Sequence, residues 1–311
     1  MKRIIPFLLA LLLLVGCGAE KPVETTTEPP VSTVETTEPD IPWQTQAADR
    51  QLLAKQYFVY DCETGKFLVK AEDVSTKIYP ASVTKLFTAY VALQYLDADK
   101  SIQAGDVLSK VAAGSSVAEL VKGDKLTVRQ LVAGMLLPSG NDAAYILAEA
   151  AGRAIYGSQG KDVSMDKAIN KFVETMNKQA ELLGMTGTHF ANPDGIHSDE
   201  HYTTYQDLVI LGVAVLNDPV ILEYAATSRM EVTLGDRTVN WKNTNELVDP
   251  GSPYYCAYAV GLKTGQTPKA GSCLLSAFEY KGRTLIVGVF GCPQPEDRFP
   301  DTLQLFTEAV K

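Results

Sequence analysis

The chain has 311 residues, of which 46% are hydrophobic, and carries 28 Lys and Arg against 37 Asp and Glu, a formal charge of -9. That is enough apolar material for one large domain or two small ones. A polyphosphate partner needs a basic surface and none is evident, which excludes nucleic acid as the main partner.

Lys2 and Arg3 precede the apolar run Ile4 to Val15. The run is too short to span a bilayer as a mature helix, and residues 1–16 read as an export signal. It ends in Leu14-Val15-Gly16-Cys17, which resembles the bacterial lipobox. That resemblance implies a lipid on Cys17 that anchors an extracytoplasmic body to the cell membrane; the plain alternative is a secretory signal with an incidental cysteine. Residues 17–50 are Thr-, Glu- and Pro-rich and have almost nothing to bury, the composition of a disordered tether. Between Glu20 and Asp40 six acidic residues face the single Lys21, so the folded part, residues 51–311, is closer to neutral than the whole chain.

Tyr57 to Cys62 and Lys66 to Lys70, around Glu63-Thr64-Gly65, predict a hairpin. After Pro80, the apolar residues Val83, Leu86, Phe87, Tyr90 and Val91 fall at helical spacing and place Ser82 at or just inside a helix N-terminus. Thr127-Val128-Arg129-Gln130 is a capping box opening a helix that Pro138 stops, and a new helix begins near Asn141 or Asp142. Helices follow from Met165 to Leu183, closed by Gly184, and from Tyr205 to Leu216, capped by Thr204 and closed before Pro219. Ala257 to Leu262, Ser272 to Tyr280 and Thr284 to Phe290 are strand-like, with Lys281-Gly282 as a tight turn, and Asp301 to Val310 forms a closing helix. Strands at both ends with helices between them suit an antiparallel sheet whose first strands pair with its last, an α/β chain of the α+β type. Cys62, Cys256, Cys273 and Cys292 lie in or beside these strands; they allow one or two disulfides, or equally buried thiols.

Three short motifs carry chemistry. Ser82 and Lys85 at i and i+3 share one helix face, so a neutral lysine there can take the serine proton; burial or a second cation would depress its pKa. Alone the motif is weak, since a chain of this length contains roughly one S-x-x-K by composition. Ser139-Gly140-Asn141 sits in an interhelical turn, where turn chemistry alone accounts for such residues. Lys263-Thr264-Gly265 ends a strand and offers a cation and a hydroxyl beside a glycine that admits close backbone approach. Their order on helix start, turn and strand is that of active-site serine penicillin-interacting enzymes. His197 and His201 lie in a loop without the H-E-x-x-H pattern, and no metal or cofactor is implied.

The flanks extend the likeness. Pro80 to Leu86, Leu137 to Ala143, Phe190 to Ile196 with Thr204 to Leu208, Asn243 to Asn245, Gly261 to Gly265 and Ala270-Gly271 resemble the blocks of D-alanyl-D-alanine carboxypeptidases, over about residues 55 to 311. The resemblance implies a β-lactamase/transpeptidase-like fold: a central antiparallel sheet of about five strands flanked by helices, with a helical subdomain. It implies an enzyme, inhibited by β-lactams, that removes the terminal D-alanine from peptidoglycan stem peptides through an acyl-enzyme. Ser82 would be the nucleophile and Lys85 its base, with backbone N–H groups of Ser82 and Gln266 as oxyanion hole. Ser139 would relay a proton to the leaving amine and Asn141 hold the acyl-side amide. Lys263 and Thr264 would attract the free carboxylate, and Lys263 would also help keep Lys85 neutral. Tyr205-Gln206 departs from the family's usual alanine-tyrosine, which leaves the packing there open. A class A β-lactamase would carry a deacylating glutamate where Asn192-Pro193-Asp194-Gly195 stands. An endopeptidase or transpeptidase acting on cross-links, or a sensor acylated without turnover, would share the same three motifs.

Overall fold

The computed structural model describes residues 51–71 and 73–311; the export signal, Cys17 and the tether lie outside them. β1 (Gln56–Asp61) and β2 (Lys66–Lys70) form the expected hairpin, its turn fixed by Asp61 Oδ1, which accepts from the amides of Glu63 and Thr64, and by Gly65 at φ +67°. Near the other end, β7 (Ala259–Thr267), β8 (Gly271–Tyr280) and β9 (Arg283–Cys292) make a meander. Lys281 and Gly282, both at positive φ, turn β8 into β9, as a two-residue hairpin requires. β1 pairs antiparallel with β9, from Gln56 opposite Phe290 to Asp61 opposite Leu285, and gives the order β2-β1-β9-β8-β7. This is the expected five-stranded antiparallel sheet with first strands on last.

Consecutive residues of this sheet are buried on opposite faces. Val59, Phe278, Leu285 and Val287 pack with Phe299, Leu303 and Phe306 of α7 (Arg298–Ala309), whereas Phe58, Ala277 and Ile286 join a second core with Leu86 and Phe87. That second core is built by α1 (Thr84–Tyr95), α2 (Val128–Leu136), α3 (Asn141–Ile155), α4 (Met165–Leu183) and α5 (Tyr205–Leu216). The Thr127–Gln130 capping box is present at α2, and Gly184, at φ +87°, closes α4. A side-chain carbon on Gly152 would lie 1.9 Å from the Ala168 carbonyl oxygen, so only glycine lets α3 and α4 cross so closely. Tyr205, the departure from the family pattern, is fully buried with its ring 5.3 Å from that of Phe58; Gln206 faces solvent.

Five elements, two strand pairs and a helix, go beyond the sequence reading. The short pair β3 (Ser101–Gln103) and β4 (Lys125–Thr127) ties the chain before α2. α6 (Pro219–Ala226) begins at the proline that reads as a helix stop, because Pro is favourable in a first turn and Asp218 caps the amides of Val220 and Ile221. β5 (Arg229–Leu234) and β6 (Arg237–Lys242) form a hairpin around Gly235-Asp236, and Trp241 Nε1 donates to the Ala118 carbonyl. β7 also runs on to Thr267, so Lys263-Thr264-Gly265 lies within the strand instead of ending it. The four cysteines from Cys62 onward are free thiols.

Candidate active site

Ser82 lies in a single 3-10 turn, Ala81–Val83, that runs directly into α1. One turn on, Lys85 is fully buried, its Nζ 2.9 Å from Ser82 Oγ and 2.7 Å from the Asp194 carbonyl oxygen. Burial pushes the lysine down to about 8, against the opposing pull of the Asp194 and Asp142 carboxyl groups. About a tenth of Lys85 is therefore uncharged at pH 7 and about half at pH 8, far more than for an ordinary lysine, with the lone pair beside the serine hydroxyl. Lys263 is equally buried and sits well below the ordinary lysine range, first through burial, then through repulsion from Lys85 and Arg298. Desolvation thus dominates at Lys85, and the repulsion between the two amines is expressed at Lys263.

The loop around Asp194 holds α1 in register. Asn192 Oδ1 accepts from the Gly195 amide at 2.8 Å, and Asn192 Nδ2 donates to the Ile196 carbonyl at 2.7 Å. Gly195 has φ +85°, and a side-chain carbon there would fall 1.9 Å from the Ala81 carbonyl oxygen, next to Ser82. Thr88 Oγ1 donates to the Pro193 carbonyl at 2.7 Å. His201 is buried; its Nδ1 accepts from the Ala191 amide at 3.2 Å, which leaves the proton on Nε2 to donate to Thr84 Oγ1 at 2.8 Å. Burial first, then the neighbouring histidines and Lys85, lower His201 to about 3, so it stays neutral. It is a brace for the S-x-T-K turn. His197 instead stacks edge-on against Tyr79, 4.7 Å between ring centres, with Asp199 at 3.3 Å.

Ser139, in the turn between α2 and α3, and Asn141, the first residue of α3, are both buried. The Asn141 amide donates to the Ser116 carbonyl at 2.9 Å, while the Asp142 carboxylate accepts from the amides of Ala118 and Leu120. On the opposite wall, Lys263 Nζ donates to the Thr264 carbonyl at 3.1 Å, and Thr264 Oγ1 is 2.6 Å from Thr244 Oγ1. The Thr244 amide in turn donates to the Leu137 carbonyl, joining the β7 wall to the Ser139 turn. A side-chain carbon at Gly265 would lie 2.9 Å from the Pro80 carbonyl oxygen and 3.0 Å from the Ser82 amide nitrogen. Glycine is what lets β7 reach the Ser82 amide; Gln266 follows, exposed, on the sheet's edge strand.

The first and third motifs therefore meet where Gly265 approaches the Ser82 amide, and the second is tied to the third through Thr244. Ala81, Ser139 and Leu262, each adjoining or belonging to a motif, hold φ values of +48°, +64° and +76°, and such backbone persists in non-glycine residues only where surrounding structure enforces it. Sequence reasoning missed the brace role of His201 and also Arg298, whose Nη1 reaches the Gly265 carbonyl at 3.4 Å from the far side of the sheet. No local spacing signals either one.

Comparison with known proteins agrees with this arrangement. The crystal structure of the Streptomyces K15 DD-transpeptidase superposes with TM-score 0.74 at 30% identity, covering 84% of this chain and 98% of that one. Penicillin-binding protein D2 from Listeria monocytogenes, solved with cefotaxime bound, gives TM-score 0.68 at 27% identity, covering 85% and 99%. Fold and site together define a DD-peptidase of the transpeptidase and β-lactamase fold. A D-alanyl-D-alanine carboxypeptidase from Streptomyces sp. (strain K15) is 37% identical over 227 residues, 70% of this chain and 73% of the relative. DacF, a D-alanyl-D-alanine carboxypeptidase of Bacillus subtilis (strain 168), is 30% identical over 79% of this chain but only 59% of its own length. The D-alanyl-D-alanine carboxypeptidase family model matches residues 43–294, and the chain belongs to that family of serine peptidases.

Proposed function

We propose that Ser82 is the nucleophile of a D-Ala-D-Ala carboxypeptidase reaction and Lys85 its general base. The single observation that carries this is a fully buried lysine, lowered to about 8, with its amine 2.9 Å from a serine hydroxyl. Lys85 takes the Ser82 proton as Oγ attacks the carbonyl of the penultimate D-alanine. The oxyanion that forms is received by the amides of Ser82 and Gln266, a reading supported by the close approach of Gly265, the residue before Gln266, to the Ser82 amide. As the C–N bond breaks, Ser139 relays to the leaving amine the proton that Lys85 took from Ser82, which restores neutral Lys85, and free D-alanine departs. Asn141 holds the acyl-side amide. Thr264, with the hydroxyl of Thr244 beside it, and Lys263 receive the terminal carboxylate, whose charge favours the protonated Lys263. Water then releases the acyl-enzyme. β-Lactams present the same carbonyl to Ser82 and inhibit by acylating it.

The same reading extends to the whole chain: residues 1–16 an export signal, Cys17 lipidated, residues 17–50 a tether and 51–311 the catalytic domain at the outer face of the cell membrane. A flexible tether of that length spans roughly 30 Å, and an extended one about 100 Å, which suits a wall-polymer substrate.

The test is release of D-alanine from a peptide ending in D-Ala-D-Ala, with mass analysis after penicillin treatment. Wild type should release D-alanine and gain one penicillin adduct, and Ser82→Ala should do neither. Release by the variant equal to wild type would sink the assignment. Growth with labelled palmitate should label the chain, and Cys17→Ala should abolish the label.

A further inference from the structure

Beside the catalytic cleft, past the end of β7, lies a recess of about 590 Å³ that the roles given so far leave unused. Its walls include Lys55, Lys77 and Lys269, together with Tyr79 from the segment leading into Ser82. Among the described residues no carboxylate lines it. The recess is built. Gly271 and Gly291, at φ +67° and +74°, meet at its base, where a side-chain carbon on Gly271 would come within 2.8 Å of Gly291 Cα. The Lys55 stem lies along Gly291. Lys77 Nζ stands 3.7 Å above the Tyr202 ring, which holds the group without neutralising its charge. Thr267 Oγ1 accepts from the Ala270 amide at 3.0 Å and fixes the turn that carries Lys269.

The direction of the bound peptide connects this recess to the reaction, and the connection rests on the roles given above to Ser82, Gln266 and Lys263. With the terminal carboxylate at Lys263 and Thr264 and the scissile carbonyl at the amides of Ser82 and Gln266, the leaving residue occupies the Lys263 side. The acyl-donor part of the substrate must then run the opposite way along β7, past Thr267 towards Pro268 and Lys269. We propose that the recess lined by Lys55, Lys77 and Lys269 is a donor-side subsite that recognises a free carboxylate on the peptide upstream of D-Ala-D-Ala. Three like charges with no intervening acid leave a local positive potential that an anionic substituent relieves, whereas a carboxamide at the same place gains nothing.

The experiment uses the full chain and two peptides that end in Nε-acetyl-lysyl-D-alanyl-D-alanine and differ in the residue before the lysine, glutamate or glutamine, with the N-terminus acetylated in both. The proposal expects kcat/KM about fivefold higher for the glutamate peptide, with the preference falling as salt rises from about 0.05 to about 0.5 M. In Lys55→Gln/Lys77→Gln/Lys269→Gln the preference should collapse to within about twofold, with the glutamine peptide and penicillin acylation unchanged. Equal kcat/KM for both peptides in the wild type, or a preference that survives in the triple variant, would overturn it. If neither peptide releases D-alanine, the carboxypeptidase assignment fails by itself, and the subsite is read from competition against penicillin acylation. There stronger competition by the glutamate peptide, lost in the triple variant, upholds it, and equal competition overturns it.

Discussion

Lys85 is fully buried, and among the described residues its amine hydrogen-bonds to the Ser82 hydroxyl and the Asp194 carbonyl. Acylation needs the uncharged amine, so its rate should rise with pH and level off above a midpoint of about 8, measured as the pH profile of penicillin acylation by stopped flow. A flat profile from pH 6 to 10 would exclude Lys85 as base. The same burial has a stability consequence. Because the folded-state value of about 8 lies below the ordinary 10.5, the native chain binds fewer protons than the unfolded one between those two pH values, and stability from this group rises with pH across that window. Lys85→Met should therefore stabilise the fold by about 2 kcal/mol at pH 7, with a gain that shrinks between pH 8 and 10.5 in urea titrations, while abolishing acylation. S-x-x-K spacing alone reveals none of this, because desolvation is set by Asp194, Thr88 and the core around α1, more than a hundred residues of sequence away in part.

At the scale of elements, the reactive turn is held by loops whose glycines permit approaches that no other residue allows. Gly195→Ala would drive a methyl group into the Ala81 carbonyl, so acylation should fall by about a hundredfold, with the Asn192–Ile196 loop displaced in a crystal structure of the variant. Retained acylation would show that the loop can yield. Ser139 is held at φ +64°, a conformation that glycine adopts freely; Ser139→Gly should unfold about 1 kcal/mol later in denaturant yet release D-alanine more slowly. Several elements were legible because their signals are local, such as the Thr127–Gln130 capping box, Gly184 after α4 and Thr204 before α5. α6 was hidden by a proline that has two meanings, stop or first turn, and only Asp218 distinguishes them. The β5–β6 hairpin does carry a signal, Gly235-Asp236 between alternating apolar residues, but its purpose becomes visible only where Trp241 packs on Gly134 of α2.

For the molecule as a whole, the two faces of one sheet do different work. α7 covers the face away from the nucleophile, with Phe306 fully buried and stacked on Phe278 at 4.3 Å between ring centres. Phe306→Ala should cost about 3–5 kcal/mol in urea denaturation while the folded fraction keeps its acylation rate, since the cavity opens on the far side of the sheet. Parallel loss of rate per folded molecule would mean that the sheet transmits the damage, with Arg298 and its contact to the Gly265 carbonyl the first suspect.

The sequence by itself determined which residues carry chemistry, in what order, and on which kinds of element they stand, because helix periodicity, caps and turn residues act over a few positions. It also marked the chain's class through the flanking blocks. Only the tertiary structure decided that burial, ahead of Lys263, lowers Lys85, that His201 braces the turn carrying Ser82, and that three lysines distant in sequence share one recess past the end of β7. The physical reason is the same each time. Desolvation, close backbone approach and electrostatic potential depend on what lies within a few ångströms in space, and local spacing carries no record of it.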